Sequence, residues 1–411
     1  VEPSPHTVRL LLVPLLFLCS CVAHIDPPRP ASNLPKASLN WPSWNPIALA
    51  EGKKEKRIPN FPETHHTPAG PVTTYGPDKD GGEEFMIVSQ RGDEAPDDIV
   101  PLNMQFFPTS MLAGKSPYES KFNRLHGPND AFWFFSAFPF RSTFFETFPA
   151  TTPESKGMIH YQTSIMMLSK VERLIVKRLQ NHGWNVLVGL PSDSFYRSRL
   201  PAFATKKENP ESAARFLAGQ MDLHYVEQAY ATRCALAYLS QTRPDWLSKK
   251  RILIGTSAGS FATPAVALQT PGWDAIVFVS AGTNLLDAYE RDAADVFQGA
   301  MDWIEWVRSH APKSVSRIPS EKEYRQYFRK ASRLTELHSG RIASHLSDER
   351  LLFIHGTLDR IIPADHFTEL YQALGYPERW TYPLGHHLIA LQLLADVPKL
   401  DAWLMTASEK K

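Results

Sequence analysis

Five short, almost uninterrupted apolar runs limit what this chain can become. They are Gly157-Met158-Ile159-His160-Tyr161, Trp184-Asn185-Val186-Leu187-Val188, Arg251-Ile252-Leu253-Ile254, Ala275-Ile276-Val277-Phe278-Val279 and Leu351-Leu352-Phe353-Ile354. Each is too short for a helix and too apolar to alternate between core and water. Strands of this kind belong in a sheet covered on both faces. Helical spacing separates them. Val171, Leu174, Ile175 and Leu179 recur within 169–180, closed by Asn181-His182-Gly183, and residues 211–240 repeat the pattern with Phe216, Leu217, Leu223, Val226, Ala229, Ala235 and Leu236. Apolar strands alternating with helices predict an α/β class: a doubly wound, mostly parallel sheet. Between the fourth and fifth runs, residues 286–345 are amphipathic and longer than one crossover helix requires. They are expected to form a helical cap over one edge of the sheet.

Charge narrows the partners. Lys and Arg (44) nearly cancel Asp and Glu (43), leaving a formal net charge of +1. No cationic field draws such a chain to nucleic acid or to anionic lipid. Three cysteines fit neither a disulfide framework nor a four-thiolate zinc site. Cys234, on the helix before the third run, reads as a small buried apolar residue.

Proline is the compositional excess, and it is unevenly spread: 14 of the 34 lie before residue 81. From Asp26-Pro27-Pro28-Arg29-Pro30 to Asp78-Lys79-Asp80 they recur with little apolar periodicity, which predicts an extended stalk over residues 21–80. Trp41, Trp44 and Ile47-Ala48-Leu49-Ala50 are expected to dock locally on the body, and His65-His66 to be a solvated pair. Ahead of the stalk, Arg9 precedes Leu10-Leu11-Leu12-Val13-Pro14-Leu15-Leu16-Phe17-Leu18. This run is too short to span a bilayer, which needs roughly 20 apolar residues, and it has the make-up of an export signal. Leu18-Cys19-Ser20-Cys21 then resembles the lipobox of bacterial lipoproteins. That resemblance implies residues 1–20 as a signal peptide, lipidation at Cys21, and an exported domain anchored to a bacterial membrane. Beyond the stalk, residues 81–411 form the globular body. Phe85 to Val88 and Asn103 to Phe107 read as strands leading into it. The aromatic stretch Ala131 to Phe148 is read as buried strands, with a membrane-contacting patch as the alternative.

The chemistry falls at run ends. Gly255-Thr256-Ser257-Ala258-Gly259 follows the third run and precedes a helix start at Ser260 to Thr263. This is G-x-S-x-G in the strand–turn–helix setting that exposes a serine above a sheet. A serine hydroxyl needs a base, and the base needs an orienting carboxylate. Asp359 lies in the loop His355-Gly356-Thr357-Leu358-Asp359-Arg360-Ile361-Ile362-Pro363 after the fifth run. His386 and His387 follow Gly385 after a last strand-like stretch at Trp380 to Tyr382. Asp365 and Asp287 are alternative carboxylates, and His387 is the alternative base.

In this order and placement the chain resembles the serine hydrolases of the α/β-hydrolase superfamily over roughly residues 157–405. The resemblance implies Ser257 as nucleophile, His386 as general base and acid, and Asp359 as the orienting carboxylate. It implies an oxyanion hole built from the N–H of Ala258 and a second donor after the first run, for which Thr163 is the candidate. Here the sequence departs from the family, because Gln162-Thr163-Ser164 stands where a His-Gly or Gly-Gly pair is usual. The implied reaction cleaves a small carboxylic ester or acyl substrate through an acyl-serine, with no cofactor and no metal. Two rivals remain: a serine peptidase of the prolyl-oligopeptidase type, and a catalytically degenerate binding protein. Gly114-Lys115-Ser116 lacks the earlier glycine of a phosphate loop, and no H-E-x-x-H or G-x-G-x-x-G pattern occurs. The sequence leaves the oligomeric state open.

Overall fold

The computed structural model describes residues 23–29, 36, 38–42, 63–77, 82–90, 140–152, 154–163, 170–191, 210–291, 320–346, 349–362 and 364–406. The signal segment with Cys21, the strand expected at 103–107, the aromatic residues 131–139 and the amphipathic stretch 302–307 lie outside them. So do Trp44 and residues 47–50.

The described strands are β1 His24–Asp26, β2 Glu63–Thr67, β3 Gly70–Pro77, β4 Glu83–Gln90, β5 Phe140–Phe148, β6 Gly157–Gln162, β7 Trp184–Pro191, β8 Lys250–Thr256, β9 Ala275–Val279, β10 Leu351–Gly356 and β11 Glu378–Tyr382. They make one sheet in the order β1-β11-β10-β9-β8-β6-β7-β5-β4-β3-β2. The segment from β7 through β6, β8, β9 and β10 to β11 is parallel, as the five apolar runs require. β5 turns antiparallel against β7, β4, β3 and β2 continue antiparallel, and β1 closes the far edge antiparallel to β11.

The helices are α1 Lys170–Asn181, α2 Pro210–Thr242, α3 Pro244–Leu247, α4 Ala258–Gln269, α5 Leu285–Arg291, α6 Glu321–Leu334, α7 Ser339–Ile342, α8 Ala364–Ala373 and α9 His386–Thr406. Side chains of a strand alternate between faces, and the core obeys that period. Leu187, Leu253, Ile276, Phe278 and Phe353 join a cluster with α2, α4 and α8. Their neighbours Val186, Val188, Ile252, Ile254, Val277 and Ile354 join a second cluster with α1 and α9. Gly183 ends α1 with φ 89°, the left-handed stop read from Asn181-His182-Gly183.

The stalk expectation needs correction between residues 63 and 77. These residues form a hairpin in the sheet, with Val72 and Thr73 buried. Proline does not prevent this, because each one sits where its missing N–H costs little. Pro68 is in the turn, where Thr67 Oγ1 accepts the N–H groups of Ala69 and Gly70. Pro71 lies at the start of β3, and Pro77 lies at an irregularity in the β3–β4 register. Residues 24–26, at the other end of the expected stalk, are strand β1. Trp41 packs against the core as expected. His65 is tilted against Tyr238, with ring centroids 5.3 Å apart, so it leans on the body rather than standing free in solvent. Within the aromatic stretch, Phe145 is buried and stacks on Phe85 at 5.3 Å, in keeping with the core reading for that residue.

In the region expected to be a cap, α6 begins with a capping box formed by Ser320 and Glu323 and packs on α2 and α5. Asp222 of α2 accepts the N–H groups of Glu336 and Leu337 at 2.8–3.1 Å, which fixes the exit from α6. Ser339 Oγ donates to Phe261 O, and Gly340 N–H donates to Thr283 O, so α7 sits on the loop that leaves β9.

Candidate active site

Ser257 stands between β8 and α4 with φ 51° and ψ −125°, a strained backbone for a residue with a side chain. Its neighbours explain why the strain persists. A Cβ on Gly255 would lie 1.9 Å from Thr263 Oγ1 and 2.8 Å from Ser260 Cα. A Cβ on Gly259 would lie 2.6 Å from the carbonyl oxygen of Gln162. Both glycines of G-x-S-x-G are therefore demanded by close backbone approach. The turn is then held from the sheet side, where Ser257 N–H donates to Val279 O at 2.9 Å.

Three residues from three strand ends converge here. Ser257 Oγ lies 2.8 Å from Nε2 of His386, and His386 Nδ1 lies 2.7 Å from Oδ2 of Asp359. With Nδ1–H donating to the carboxylate, Nε2 is left as the acceptor for the serine proton. The other oxygen, Asp359 Oδ1, accepts the N–H groups of Ile361 and Ile362, both at 2.9 Å. One carboxylate oxygen thus faces the imidazole while backbone fixes the other. The Asp359 side chain is fully buried and that of His386 nearly so. Burial alone would raise the Asp359 carboxyl. The His386 hydrogen bond and charge, with the Ile362 N–H, outweigh it and hold the group below its ordinary value.

The alternatives point elsewhere. His387 is exposed and meets His386 only edge-on, with ring centroids 5.5 Å apart. Asp287 faces His366 at 3.9 Å, and Asp365 lies in the first turn of α8. His355, on β10 just before Asp359, is buried against Phe367 with ring centroids 3.6 Å apart, and burial lowers its pKa to about 4.

Ala258 is the first residue of α4, where a backbone N–H has no intrahelical acceptor. That leaves it available beside Ser257. Thr163 does not fit the donor role and is corrected. Its N–H points along the sheet to Gly189 O at 3.4 Å, and its hydroxyl donates to Glu172 Oε1 at 2.8 Å. The β6–β7 ladder extends one residue beyond the strand end and takes up that N–H. The following residue, Ser164, lies outside the described residues.

Sequence reasoning missed Gln162. Its carbonyl accepts from Thr256 Oγ1 at 3.2 Å, and its side-chain Oε1 accepts from Thr263 Oγ1 at 3.1 Å. It thereby locks the end of β6 to both sides of the serine turn. No local pattern announces it, because its partners lie about a hundred residues on. The Asp359 clamp was more accessible, since an aspartate accepting N–H groups two and three residues ahead is a familiar turn. Cys234 is buried, its Sγ donates to Ala69 O, and burial raises its pKa to about 12, so it takes no part. Among the described residues, no group of His, Cys, Asp and Glu is arranged to hold a metal ion.

The family model described as the prolyl oligopeptidase family matches residues 227–384, less than half of the chain, and stops just short of His386. No curated protein matches the chain. Among solved structures, a zinc-bound cold-adapted esterase from an Arctic intertidal metagenomic library is similar at 10% identity and a TM-score of 0.38, covering 64% of this chain and 89% of its own. The esterase domain of a Rhodothermus marinus protein gives 14% identity and 0.36, covering 63% and 91%. A lipase in its open form gives 10% and 0.39, covering 66% and 96%. With a parallel sheet in this strand order, a serine turn at the end of β8 and a matching family model across it, the chain has the α/β-hydrolase fold.

Proposed function

We propose that the protein is a serine hydrolase that cleaves carboxylic esters through an acyl-serine intermediate. The observation that carries this reading is the continuous relay from Ser257 through His386 to Asp359 at 2.8 and 2.7 Å, set on a strained turn. In this reading Ser257 Oγ attacks the acyl carbon while His386 Nε2 takes its proton. The imidazolium that forms is stabilised by Asp359 and returns the proton to the leaving alcohol. The Ala258 N–H, at the positive end of the α4 dipole, faces the oxyanion of the tetrahedral intermediate. Water then repeats the sequence to release the acid. Helices α5 to α7 serve as the cap over this edge. Residues 1–20 act as an export signal that precedes a lipidated Cys21, so that the enzyme is anchored to a bacterial membrane and faces the periplasm or the cell exterior.

Peptide cleavage is the second reading, and the matched prolyl oligopeptidase model favours it. Against it, β2 to β5 extend the catalytic sheet rather than building a separate β-domain to screen peptides. A fluorophosphonate probe applied to the protein and to Ser257→Ala tests the chemistry. The parent is expected to be labelled and the variant not, with ester turnover falling by about 10⁴-fold or more. Equal labelling of both, or none of the parent, rejects the hydrolase. A series of short- to long-chain p-nitrophenyl esters beside prolyl p-nitroanilides then decides between ester and peptide.

A further inference from the structure

We infer that Gln162 is a positioning residue for the nucleophile: through Thr263 its side-chain amide ties the end of β6 to α4 and so sets where Ser257 stands. The inference rests on the hydrolase reading for the reaction, and on the contacts of this clamp for the role.

An amide buried at a strand end is costly unless it is hydrogen-bonded. Gln162 is 2% exposed and lies in the sheet opposite Gly189 of β7 and Gly255 of β8, neither of which carries a side chain. Its Oε1 is 3.1 Å from Thr263 Oγ1, which is also 3.2 Å from Gly259 O. The single hydroxyl proton of Thr263 is thus shared between the strand and the helix. That hydroxyl fills the place a side chain would take on Gly255, where a Cβ would lie 1.9 Å from it. Gln162, Gly255 and Thr263 therefore form one unit, and the first glycine of G-x-S-x-G admits the clamp. Backbone reinforces it. Thr256 Oγ1 donates to Gln162 O at 3.2 Å, and a Cβ on Gly259 would lie 2.6 Å from the same oxygen. Contacts at 256, 259 and 263 thus reach one strand residue from both sides of Ser257.

The strained backbone of Ser257 makes this clamp matter for reactivity. A conformation with φ 51° and ψ −125° persists only where its surroundings over-determine it. Ser257 N–H is held by Val279 O on β9, and Ser257 O accepts the N–H of Ser260 at 3.0 Å within α4. Neither bond fixes the turn against β6, whereas the Gln162 amide does. His386 and Asp359 are delivered by the ends of β11 and β10, so they do not follow the turn if it shifts. Loosening the clamp moves Ser257 Oγ relative to His386 Nε2. A misplacement of about 1 Å at reacting atoms costs about 10²-fold in rate, so a fraction of that displacement is measurable. The amide itself is buried beneath the turn and offers substrate no contact, so the loss belongs in kcat rather than KM.

The test follows hydrolysis of p-nitrophenyl acetate by the full chain, with active sites counted by fluorophosphonate titration so that unfolded molecules do not enter kcat. Gln162→Met keeps the length of the side chain and the backbone bonds but removes the amide. Thr263→Val keeps the shape and removes the hydroxyl; Thr263→Ala replaces it if that variant does not fold. Each is expected to lower kcat about ten-fold or more, with KM within about two-fold. The double variant is expected to fall no further than the slower single one, because both substitutions break the same bond. Thr263→Ser keeps the hydroxyl and should lose less than about three-fold. An unchanged kcat in the single variants, accompanied only by a lower urea midpoint, overturns the inference. So does a loss that appears in KM, a double variant in which the losses multiply, or a loss in Thr263→Ser as large as that in Thr263→Val. A labelled parent with unchanged variants sinks the positioning role alone, whereas an unlabelled parent sinks the hydrolase reading beneath it.

Discussion

Strands β6 to β11 and strands β2 to β5 share one hydrogen-bonded sheet, but they meet different surroundings. The parallel group is sandwiched, with α2, α4 and α8 on one face and α1 and α9 on the other. Every residue of β6, β9 and β10 is buried. The antiparallel group rests on α2, and its outermost strand β2 has an intermediate or exposed residue at each position. Full burial forces apolar runs into a sequence, whereas partial burial tolerates Thr, His, Glu and even Pro. The difference also separates tasks. Ser257, Asp359 and His386 stand where backbone positions are fixed from both faces, at the ends of β8, β10 and β11. The antiparallel group widens the sheet and contributes none of the three relay residues.

Acid should reveal this difference first. His160, fully buried in the parallel group between Leu187 O and Thr232 Oγ1, has its pKa lowered by burial to about 4, as does His355. A histidine whose folded pKa lies below its unfolded value stabilises fully above about 6.5, and that stability is lost as the pH falls towards 4. Asp222 acts in the opposite sense. Burial raises it to about 6, so the folded state gains relative stability as the pH falls from there towards 3.8. The net expectation is a loss of about 4 kcal/mol between pH 6.5 and 4, read from urea midpoints across that range. His355→Phe, which keeps the stack on Phe367, should flatten the profile by the share of one histidine. An unaltered profile would mean that His355 is not held neutral by burial.

The serine turn comes next in size. Gly255→Ala drives a methyl group against Thr263 Oγ1 and the backbone of Ser260, and about 3 kcal/mol of stability should be lost. Pairing it with Thr263→Ser removes only the methyl of Thr263 and leaves the Oγ1 clash, so little should be recovered. Full rescue by Thr263→Ser would show that the methyl, rather than the hydroxyl and Ser260 Cα, sets the limit.

What could be read beforehand follows the same division. The convergence of Ser257, Asp359 and His386 was legible because each lies in a short motif directly after a strand-like stretch, and the apolar runs themselves declared the parallel sheet. Thr163 was misread because whether an N–H is free depends on how far a ladder extends, and no sequence pattern marks the last paired residue. Residues 63–77 were misread for a different reason. Their prolines resemble those of an extended linker, and only pairing with β4 shows that Pro71 and Pro77 fall at a strand start and a register irregularity. Val72, the one large aliphatic residue in this hairpin, gave a signal too brief to register as periodicity.

Val72 is also where the comparison between the two groups can be broken most simply. On a solvated stalk, trimming a valine to alanine leaves stability unchanged within error. In the sheet, Val72 is fully buried in the cluster containing Phe85, Ile87 and Phe145, opposite His65 on β2. Val72→Ala therefore removes two methyl groups from a packed site, and a loss of about 2 kcal/mol is expected from the urea midpoint. The same substitution at Val277, buried between helices on the parallel side, supplies the reference. A two-faced core has less room to relax than a hairpin at the rim, so Val277→Ala should cost somewhat more than Val72→Ala. Equal costs would mean that the antiparallel group is packed as rigidly as the parallel one, despite the exposed positions on β2. A cost of zero at Val72 alone would detach the hairpin from the cooperative core and restore the stalk.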